Sequence, residues 1–349
     1  MTILKERTQL PGIGISIPTL IFGSSALGNL YQELSHSTKR DIVGEWFRSV
    51  EAPVCVDTAG KYGAGLALEE LGNALRALEI LPERVVISNK LGWKRVPLDG
   101  PEPTFEPGVW KNLSHDAVQQ LSYEGILECW EQGNELLGEP YSASLLSVHD
   151  PDEYLAAANS RDSRARRMDD LEGAYGALEE LRKEGRAAAI GIGAKDWRVI
   201  REVVEKRSLD WVMLADSLTV YTHPEELLRF VEELSSAGIF VINSAVFNSG
   251  FLVGGGYFDY KPVSRESHPD LFRWRDQFDQ VCRSFAVSPA DACVEFSLAP
   301  RAVSAVAMNT SKPERVAENA ESVTKRAPAE FWEEMARQEL LSITPQEMR

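Results

Sequence analysis

The chain has 349 residues, of which 44% are hydrophobic and 26% are charged, and its formal net charge is -16. This composition is typical of a soluble globular protein, and no apolar stretch is long enough to span a membrane. The acidic balance argues against nucleic acid as a partner, because it repels phosphate backbones and no basic patch interleaved with aromatic residues offsets it.

The N-terminal segment supports two predictions. The protein is cytoplasmic, and its fold begins with a hairpin. MTILKERTQL carries charged side chains where a signal peptide needs an apolar run. A reducing compartment suits the four cysteines, which are widely spaced and lack a CxxC pair or histidines at metal-ligand spacing, so neither disulfides nor a metal site are predicted. The next segment, LPGIGISIPTL, is rich in turn residues and indicates a small β-hairpin.

Eight short β-rich runs follow, separated by stretches with helical periodicity. The runs are residues 20–25, 54–59, 85–90, 144–150, 187–193, 211–217, 239–246 and 303–309. The connections are long enough for helical crossovers, so the strands should be parallel. Eight βα units predict an α/β fold, namely a (β/α)8 TIM barrel with an N-terminal β-hairpin, in a single domain over residues 1–349. A doubly wound open sheet is the alternative, and only that sheet would need a second domain.

One Pro- and Gly-rich insertion, RVPLDGPEPTFEPGVWKN at residues 95–112, follows the third strand. It leaves from the C-terminal end of that strand. In a barrel it would therefore lie over the face that carries catalytic residues.

Four chemically capable side chains lie at or just after the ends of strands two, three and four: Asp57, Tyr62, Lys90 and His149. Each alone has an ordinary interpretation, as a turn cap, a loop aromatic, a surface lysine or a hydrogen-bonded histidine. Parallel strands bring their C-terminal ends together at one barrel face, so the four side chains are expected to meet there.

Together the four groups suit acid/base catalysis. A tyrosine pKa of about 10 must fall toward neutrality for proton transfer, and a neighbouring ammonium favours the phenolate. Lys90 would supply that charge, and Asp57 on the adjacent strand would keep Lys90 protonated in a dry pocket. The imidazole of His149 would orient a substrate oxygen beside the phenol of Tyr62.

The motifs VDTAGKYGAG..LEELGNAL, ISNK and SVHDPDEY resemble those of the aldo-keto reductases, whose Asp, Tyr, Lys and His tetrad occupies these places. The resemblance covers residues 10–325. Within that family, LPGIGISIPTLIFGSSALGNLY and INSAVFNSGFLVGG resemble the branch of aldose 1-dehydrogenases that act on L-fucose, D-arabinose or L-galactose, together with pyridoxal 4-dehydrogenase.

The resemblance implies that an extended nicotinamide dinucleotide, NADP(H) or NAD(H), lies across the barrel mouth without a Rossmann fingerprint. GIGISI agrees, because it lacks the GxGxxG helix start. In the family the loop after strand seven wraps the pyrophosphate, and the start of the last barrel helix binds the adenosine end. The matching cofactor-binding candidates here are Phe247, Asn248, Ser249, Gly250 and Leu252, and then Asn309, Thr310, Arg315 and Asn319.

Three sites depart from the family pattern. Asn309 replaces the Lys or Arg that holds the 2′-phosphate of NADP in many members, which leaves the choice between NAD and NADP open, since Lys312 or Arg315 could compensate. Strand five ends in Ala194 and Lys195 rather than in a polar pair with Asn. Asp216 replaces the Gly-Arg-Tyr run of the branch, and it could bind sugar hydroxyls or pair with Lys195.

The function that these features predict is reversible hydride transfer between nicotinamide and C1 of an aldose or an aldehyde carbonyl, with Tyr62 moving the proton. Tyr31 and Trp93 are candidate walls for a sugar, although both could be packing aromatics. An NADPH-dependent aldehyde or ketone reductase with the same tetrad is the alternative, and a non-catalytic nucleotide-binding subunit is a further one. A small-molecule substrate is the expected partner, and the sequence leaves homo-oligomerisation open.

Overall fold

A hairpin closes one end of a barrel. In the computed structural model, which describes residues 3–348, β1 (Arg7–Gln9) pairs antiparallel with β2 (Ser16–Pro18). The predicted hairpin segment therefore holds the turn and the second strand, whereas the first strand precedes it. Leu10 and Ile17 pack among apolar side chains inside the barrel, including Trp211, so the bottom of the barrel is filled.

Twelve further strands follow in the described chain. They are β3 (Leu20–Gly23), β4 (Val54–Ala59), β5 (Val85–Leu91), β6 (Trp93–Pro97), β7 (His115–Gln119), β8 (Leu145–His149), β9 (Ala189–Ala194), β10 (Trp211–Ala215), β11 (Phe240–Ser244), β12 (Tyr257–Phe258), β13 (Lys261–Pro262) and β14 (Val303–Met308). The eight predicted runs, now β3, β4, β5, β8, β9, β10, β11 and β14, close into one parallel barrel. The TIM-barrel prediction is confirmed, and the open sheet is excluded.

Eleven helices occupy the connections and the C-terminal part of residues 3–348. They are α1 (His36–Ser49), α2 (Leu66–Ala77), α3 (Tyr123–Leu137), α4 (Pro151–Ala156), α5 (Arg161–Lys183), α6 (Trp197–Val204), α7 (Glu225–Ser236), α8 (Pro269–Ser284), α9 (Pro289–Ser297), α10 (Glu314–Ser322) and α11 (Ala329–Arg337). Most of them pack an apolar face on the barrel, as Leu178, Ile200 and Val231 do. None of these helices combines the length and apolar character that crossing a membrane requires.

Strand register brings the predicted tetrad to one side of the barrel mouth. β4 lies beside β5, with Ala59 opposite Lys90, and β5 lies beside β8. Asp57, Lys90 and His149 therefore come from three neighbouring strands, and all three side chains are buried. Because the strands are parallel, the reactive side chains at their C-terminal ends lie together at one face of the barrel.

Two long connections between barrel elements carry additional secondary structure. β6 and β7 form an antiparallel hairpin that carries the insertion of residues 95–112, and Phe105 and Trp110 from this insertion pack beside Tyr62. The second connection lies between β11 and α9, where β12, β13 and α8 lead into a separate apolar cluster with α11. The position of the insertion over the mouth was predicted, whereas the small hairpins were not.

Candidate active site

A cavity of about 740 Å³ opens at the C-terminal face of the barrel. One end is lined by the four tetrad residues, and the cavity extends past the loop after β11 to α10. Its length places the tetrad at the end that a reacting group would occupy, with polar backbone and α10 side chains further along. This is the shape that an extended ligand with one reactive end needs.

The turn between β4 and α2 explains how Tyr62 reaches the cavity. Gly63 has a φ of 62°, and a Cβ at that position would lie 2.3 Å from the carbonyl oxygen of Gly28. Only glycine fits this close approach between two backbone segments. The tight packing fixes the turn immediately after Tyr62, so its phenol ring is held beside His149, with 5.8 Å between ring centroids.

Lys90 and Asp57 form the buried ion pair that the sequence predicts. The Nζ atom of Lys90 lies 2.5 Å from Oδ2 of Asp57 and 4.6 Å from the centroid of the Tyr62 ring. Gly193 on β9 leaves room for this lysine, because a Cβ there would lie 2.9 Å from Lys90 Cδ. Burial acts to lower the pKa of Lys90, but Asp57 and Tyr62 outweigh it and the pKa is raised.

The pKa of Tyr62 differs in direction from the expectation. Burial raises the pKa of Tyr62 to about 12, although the Lys90 ammonium lowers it and Asp57 adds a further rise. The expectation considered the ammonium alone, whereas removing the phenolate from water costs more than that ammonium returns. Tyr62 is therefore a protonated phenol at neutral pH, with Lys90 as the group that limits the rise.

His149 is a buried and neutral imidazole. Burial lowers its pKa well below the usual value, and the ammonium groups of Lys90 and Lys61 lower it further. Its Nδ1 atom is buried without a hydrogen-bond partner among the described residues, and Nε2 lies 3.5 Å from Oδ1 of Asp150. Because Nδ1 is inaccessible, Nε2 is the nitrogen that could donate to or accept from a substrate oxygen.

Lys61 organises a second charged cluster that the sequence interpretation left without a role. Its Nζ atom lies 2.7 Å from Asp150, 2.9 Å from Glu106 and 2.9 Å from Glu153. These three carboxylates and Lys61 all line the cavity. The only sequence signal was a charged residue directly before Tyr62, because its partners come from the 95–112 insertion and from the DPDEY segment after β8.

Lys195 extends this cluster and forms its ion pairs there rather than with Asp216. Its Nζ atom lies 3.3 Å from Glu153 and 3.2 Å from Asp259. Among residues 3–348, the carboxylate of Asp216 forms no ion pair and its two oxygens have no hydrogen-bond partner, although Lys195 and Ser249 are close enough to favour its charged form. Burial and then Asp259 raise the pKa of Asp216 to about 7.

The loop after β11 offers a concave backbone to an anion. Asn248, Ser249 and Gly250 all have positive φ, at 45°, 58° and 89°. Phe247, Ser249 and Gly250 line the cavity, whereas Asn248 and Leu252 are buried behind it. The Asn248 N–H is bonded to the Ala245 carbonyl, so the backbone at Ser249 and Gly250, which line the cavity, is the part of this turn that a pyrophosphate could approach.

The far end of the cavity is formed by the segment from β14 into α10. Asn309, Thr310, Arg315 and Asn319 all line it, beside the first turn of α9. The Oδ1 atom of Asn309 accepts a hydrogen bond of 3.4 Å from the Ala26 amide. The donors here are an exposed guanidinium, amides and a hydroxyl, which suits an adenosine moiety, and the whole cavity fits a nicotinamide dinucleotide.

The three candidate substrate residues are placed differently. Tyr31 lines the cavity, whereas Trp93 and Asp216 lie behind its wall. Trp93 packs on Phe105, and its ring lies 4.8 Å below the Lys61 ammonium. Trp110 and Tyr260, which the sequence interpretation did not name, do line the cavity. Loop conformation, which no periodicity reveals, decides which aromatic faces the cavity.

Comparison with curated proteins finds relatives that match almost the full chain. A pyridoxal 4-dehydrogenase from Microbacterium luteolum is 27% identical, and the match covers 97% of this chain and 98% of the relative. A D-threo-aldose 1-dehydrogenase from a Pseudomonas species is 28% identical, with 94% and 96% covered. Both relatives fall within the branch that the sequence motifs indicated.

A solved structure agrees with the fold, and a family model matches most of the chain. An aldo-keto reductase from Bacillus halodurans in its holo form superposes with a TM-score of 0.67 at 20% identity, covering 99% of each chain. The model of the aldo/keto reductase family matches residues 19–339. The chain therefore belongs to the aldo/keto reductase family and is an NAD(P)-dependent oxidoreductase.

Proposed function

We propose that the protein is an aldose 1-dehydrogenase that oxidises C1 of a free sugar of the L-fucose type to a lactone. The observation that carries this proposal is the position of Lys90, whose ammonium lies between the Asp57 carboxylate and the Tyr62 ring at the cavity end. The names of the two relatives, one for an aldose and one for pyridoxal, support a cyclic, hydroxylated substrate.

In this proposal Tyr62 is the acid/base group. A bound nicotinamide accepts or supplies the hydride. For oxidation, the phenolate of Tyr62 removes the proton from the C1 hydroxyl, and Lys90 stabilises that phenolate. The neutral imidazole of His149 orients the same oxygen by a hydrogen bond through Nε2. Asp57 acts through Lys90, because it keeps the ammonium charged in a buried place.

We further propose that NAD is preferred over NADP. Asn309 occupies the family position for a phosphate-binding cation, and its Oδ1 atom already accepts from Ala26. Arg315 is the cation nearest in sequence that lines the cavity. A neutral amide offers a 2′-phosphate no charge compensation, whereas ribose hydroxyls need only hydrogen bonds. Roles for Phe247, Ser249, Gly250, Thr310, Arg315 and Asn319 in holding the dinucleotide belong to the same proposal.

Aldehyde reduction is a second candidate function, favoured by one observation. With a pKa of about 12, Tyr62 carries its proton at neutral pH and is ready to donate it to a carbonyl oxygen. An aldehyde reductase would use that state directly, whereas oxidation needs the minor phenolate form. The two candidates share every side chain of the tetrad, so only turnover separates them.

The test is absorbance at 340 nm with purified protein, NAD⁺ and NADP⁺ in parallel, and L-fucose, D-arabinose, L-galactose and pyridoxal as substrates. We expect fast reduction of NAD⁺ with one sugar. Tyr62→Phe should lower kcat by about 10²–10⁴-fold, the usual range for a lost general acid or base. Activity only with simple aldehydes and NADPH would favour the reductase, and full turnover by Tyr62→Phe would refute the role of the phenol.

A cytoplasmic location completes the proposal. It is supported by the four cysteines, which are all buried and unpaired, as in proteins of reducing compartments. Cell fractionation with the native chain is the check, and recovery in an exported fraction would contradict it.

A further inference from the structure

The substrate end of the cavity is bordered by charges of both signs. Glu106, Asp150 and Glu153 line it together with Lys61 and Lys195. These residues adjoin the tetrad, since Lys61 directly precedes Tyr62 and Asp150 directly follows His149. A substrate whose reacting oxygen reaches His149 also comes close to this cluster, because Oδ1 of Asp150 lies 3.5 Å from Nε2 of His149.

The two lysines in the cluster are already neutralised. Lys61 has carboxylate oxygens of three residues within 2.9 Å, and Lys195 contacts Glu153 and Asp259. The side chain of Lys61 is also almost fully buried, at 5% exposure. Neither ammonium is free to form an ion pair with a substrate anion without giving up a carboxylate that it already holds.

The carboxylates outnumber the ammonium groups. Four acidic side chains share two lysines, so the cluster carries a net negative charge, while the nearby Asp57 and Lys90 compensate one another. Low-dielectric walls preserve such a field better than water does. A phosphate or carboxylate on the substrate would meet repulsion there, whereas hydroxyl groups would find carboxylate acceptors.

We propose that the cluster around Lys61 is a charge filter: it admits uncharged or cationic carbonyl and polyol substrates and excludes phosphorylated or carboxylated ones. This inference rests on the proposed function for the site at which the substrate reacts. Glu106 is the member best suited to substitution, because it comes from the 95–112 insertion rather than from a barrel strand. Its Oε2 atom also accepts a hydrogen bond of 2.7 Å from Trp110, which a glutamine can retain.

The kinetic test compares 4-carbamoylbenzaldehyde with 4-carboxybenzaldehyde, which match in shape and differ by one charge. The wild type should favour the neutral aldehyde by about tenfold or more in kcat/KM, the effect of roughly 1.4 kcal/mol of repulsion. Glu106→Gln should reduce that ratio severalfold. Glu102→Gln, an exposed acid of the same insertion, is the matched control and should leave the ratio unchanged.

Binding of an unreactive pair separates this inference from the proposed function. Terephthalamide and its mono-acid, terephthalamate, are titrated into the protein by calorimetry, which requires no hydride transfer. Tighter binding of the neutral amide, with the difference reduced in Glu106→Gln, supports the filter even where no aldehyde or sugar is turned over. Equal affinities, or tighter binding of the acid, overturn the filter even where the enzyme oxidises sugars.

Discussion

Lys90 and Lys61 are two buried lysines beside the same tyrosine, with exposures of 2% and 4%, but their charges are balanced in different ways. Lys90 has one carboxylate partner, Asp57, supplied by the neighbouring barrel strand. Lys61 has three, supplied by the insertion and by the segment after β8. Lys90 is thus paired within the barrel, whereas Lys61 links the loops above it.

The difference separates a chemical role from an organising one. A lysine with a single partner keeps its ammonium available to the Tyr62 ring 4.6 Å away, where it lowers the pKa of the phenol. A lysine enclosed by three carboxylates instead forms ion pairs that link the insertion to the segment after β8. We therefore expect changes at Lys90 to affect the rate most and changes at Lys61 to affect stability most.

The largest expected effect is on turnover in Lys90→Met. Without the ammonium, both the phenolate of Tyr62 and the buried Asp57 lose their compensation, and we expect kcat to fall by about 10²–10⁴-fold. Steady-state kinetics at one pH measures this. Lys94→Met, which breaks an exposed pair with Glu128, is the control and should keep wild-type kcat. A normal kcat in Lys90→Met would show that Lys90 has no chemical role in turnover.

A smaller effect, this time on stability, is expected for Lys61→Met. Three carboxylates would then face one another without a cation, and breaking a buried pair on one side typically costs about 3 kcal/mol or more. Urea denaturation should show this loss in the free energy of unfolding relative to Lys94→Met. Unchanged stability would mean that the cluster does not tie the loops together.

Asp216 sharpens the comparison because it is a carboxylate that forms no ion pair among the described residues. Burial raises its pKa to about 7, so between about pH 4 and 7 the folded state holds a proton that the unfolded chain releases. Its contribution to stability therefore falls as pH rises. Asp216→Asn should be more stable than the wild type by about 4 kcal/mol at pH 8 and nearly equal to it at pH 4.

Denaturation of wild type and variant at the two pH values measures this difference. Asp99→Asn, an exposed acid in the insertion, should show no such dependence. If Asp216→Asn gives the same stability difference at both pH values, the carboxylate is not held in an unfavourable place.

The barrel and its tetrad were predictable, because both depend on order along the chain. Strands that follow one another with helical crossovers become neighbours, so Asp57 and Lys90 had to meet. The net shift in the Tyr62 pKa was not predictable, because it depends on burial, which motifs do not reveal. Single-domain organisation and the roles of individual site residues remain predictions.

The loops account for what the sequence did not reveal. Glu106 meets Lys61 only because the insertion folds back over the mouth, and Trp110 rather than Trp93 lines the cavity for the same reason. Such contacts join residues far apart in sequence through irregular backbone, where neither periodicity nor strand order specifies a partner.

The pH dependence of sugar oxidation in wild type and Lys90→Met tests most directly the central claim, that Lys90 lowers the pKa of Tyr62. The wild-type kcat for oxidation should rise with pH, since the phenolate is the reacting form. Removing the ammonium destabilises the phenolate, so the profile of Lys90→Met should be displaced to higher pH. A profile with the same midpoint as the wild type, or one displaced to lower pH, would contradict the claim.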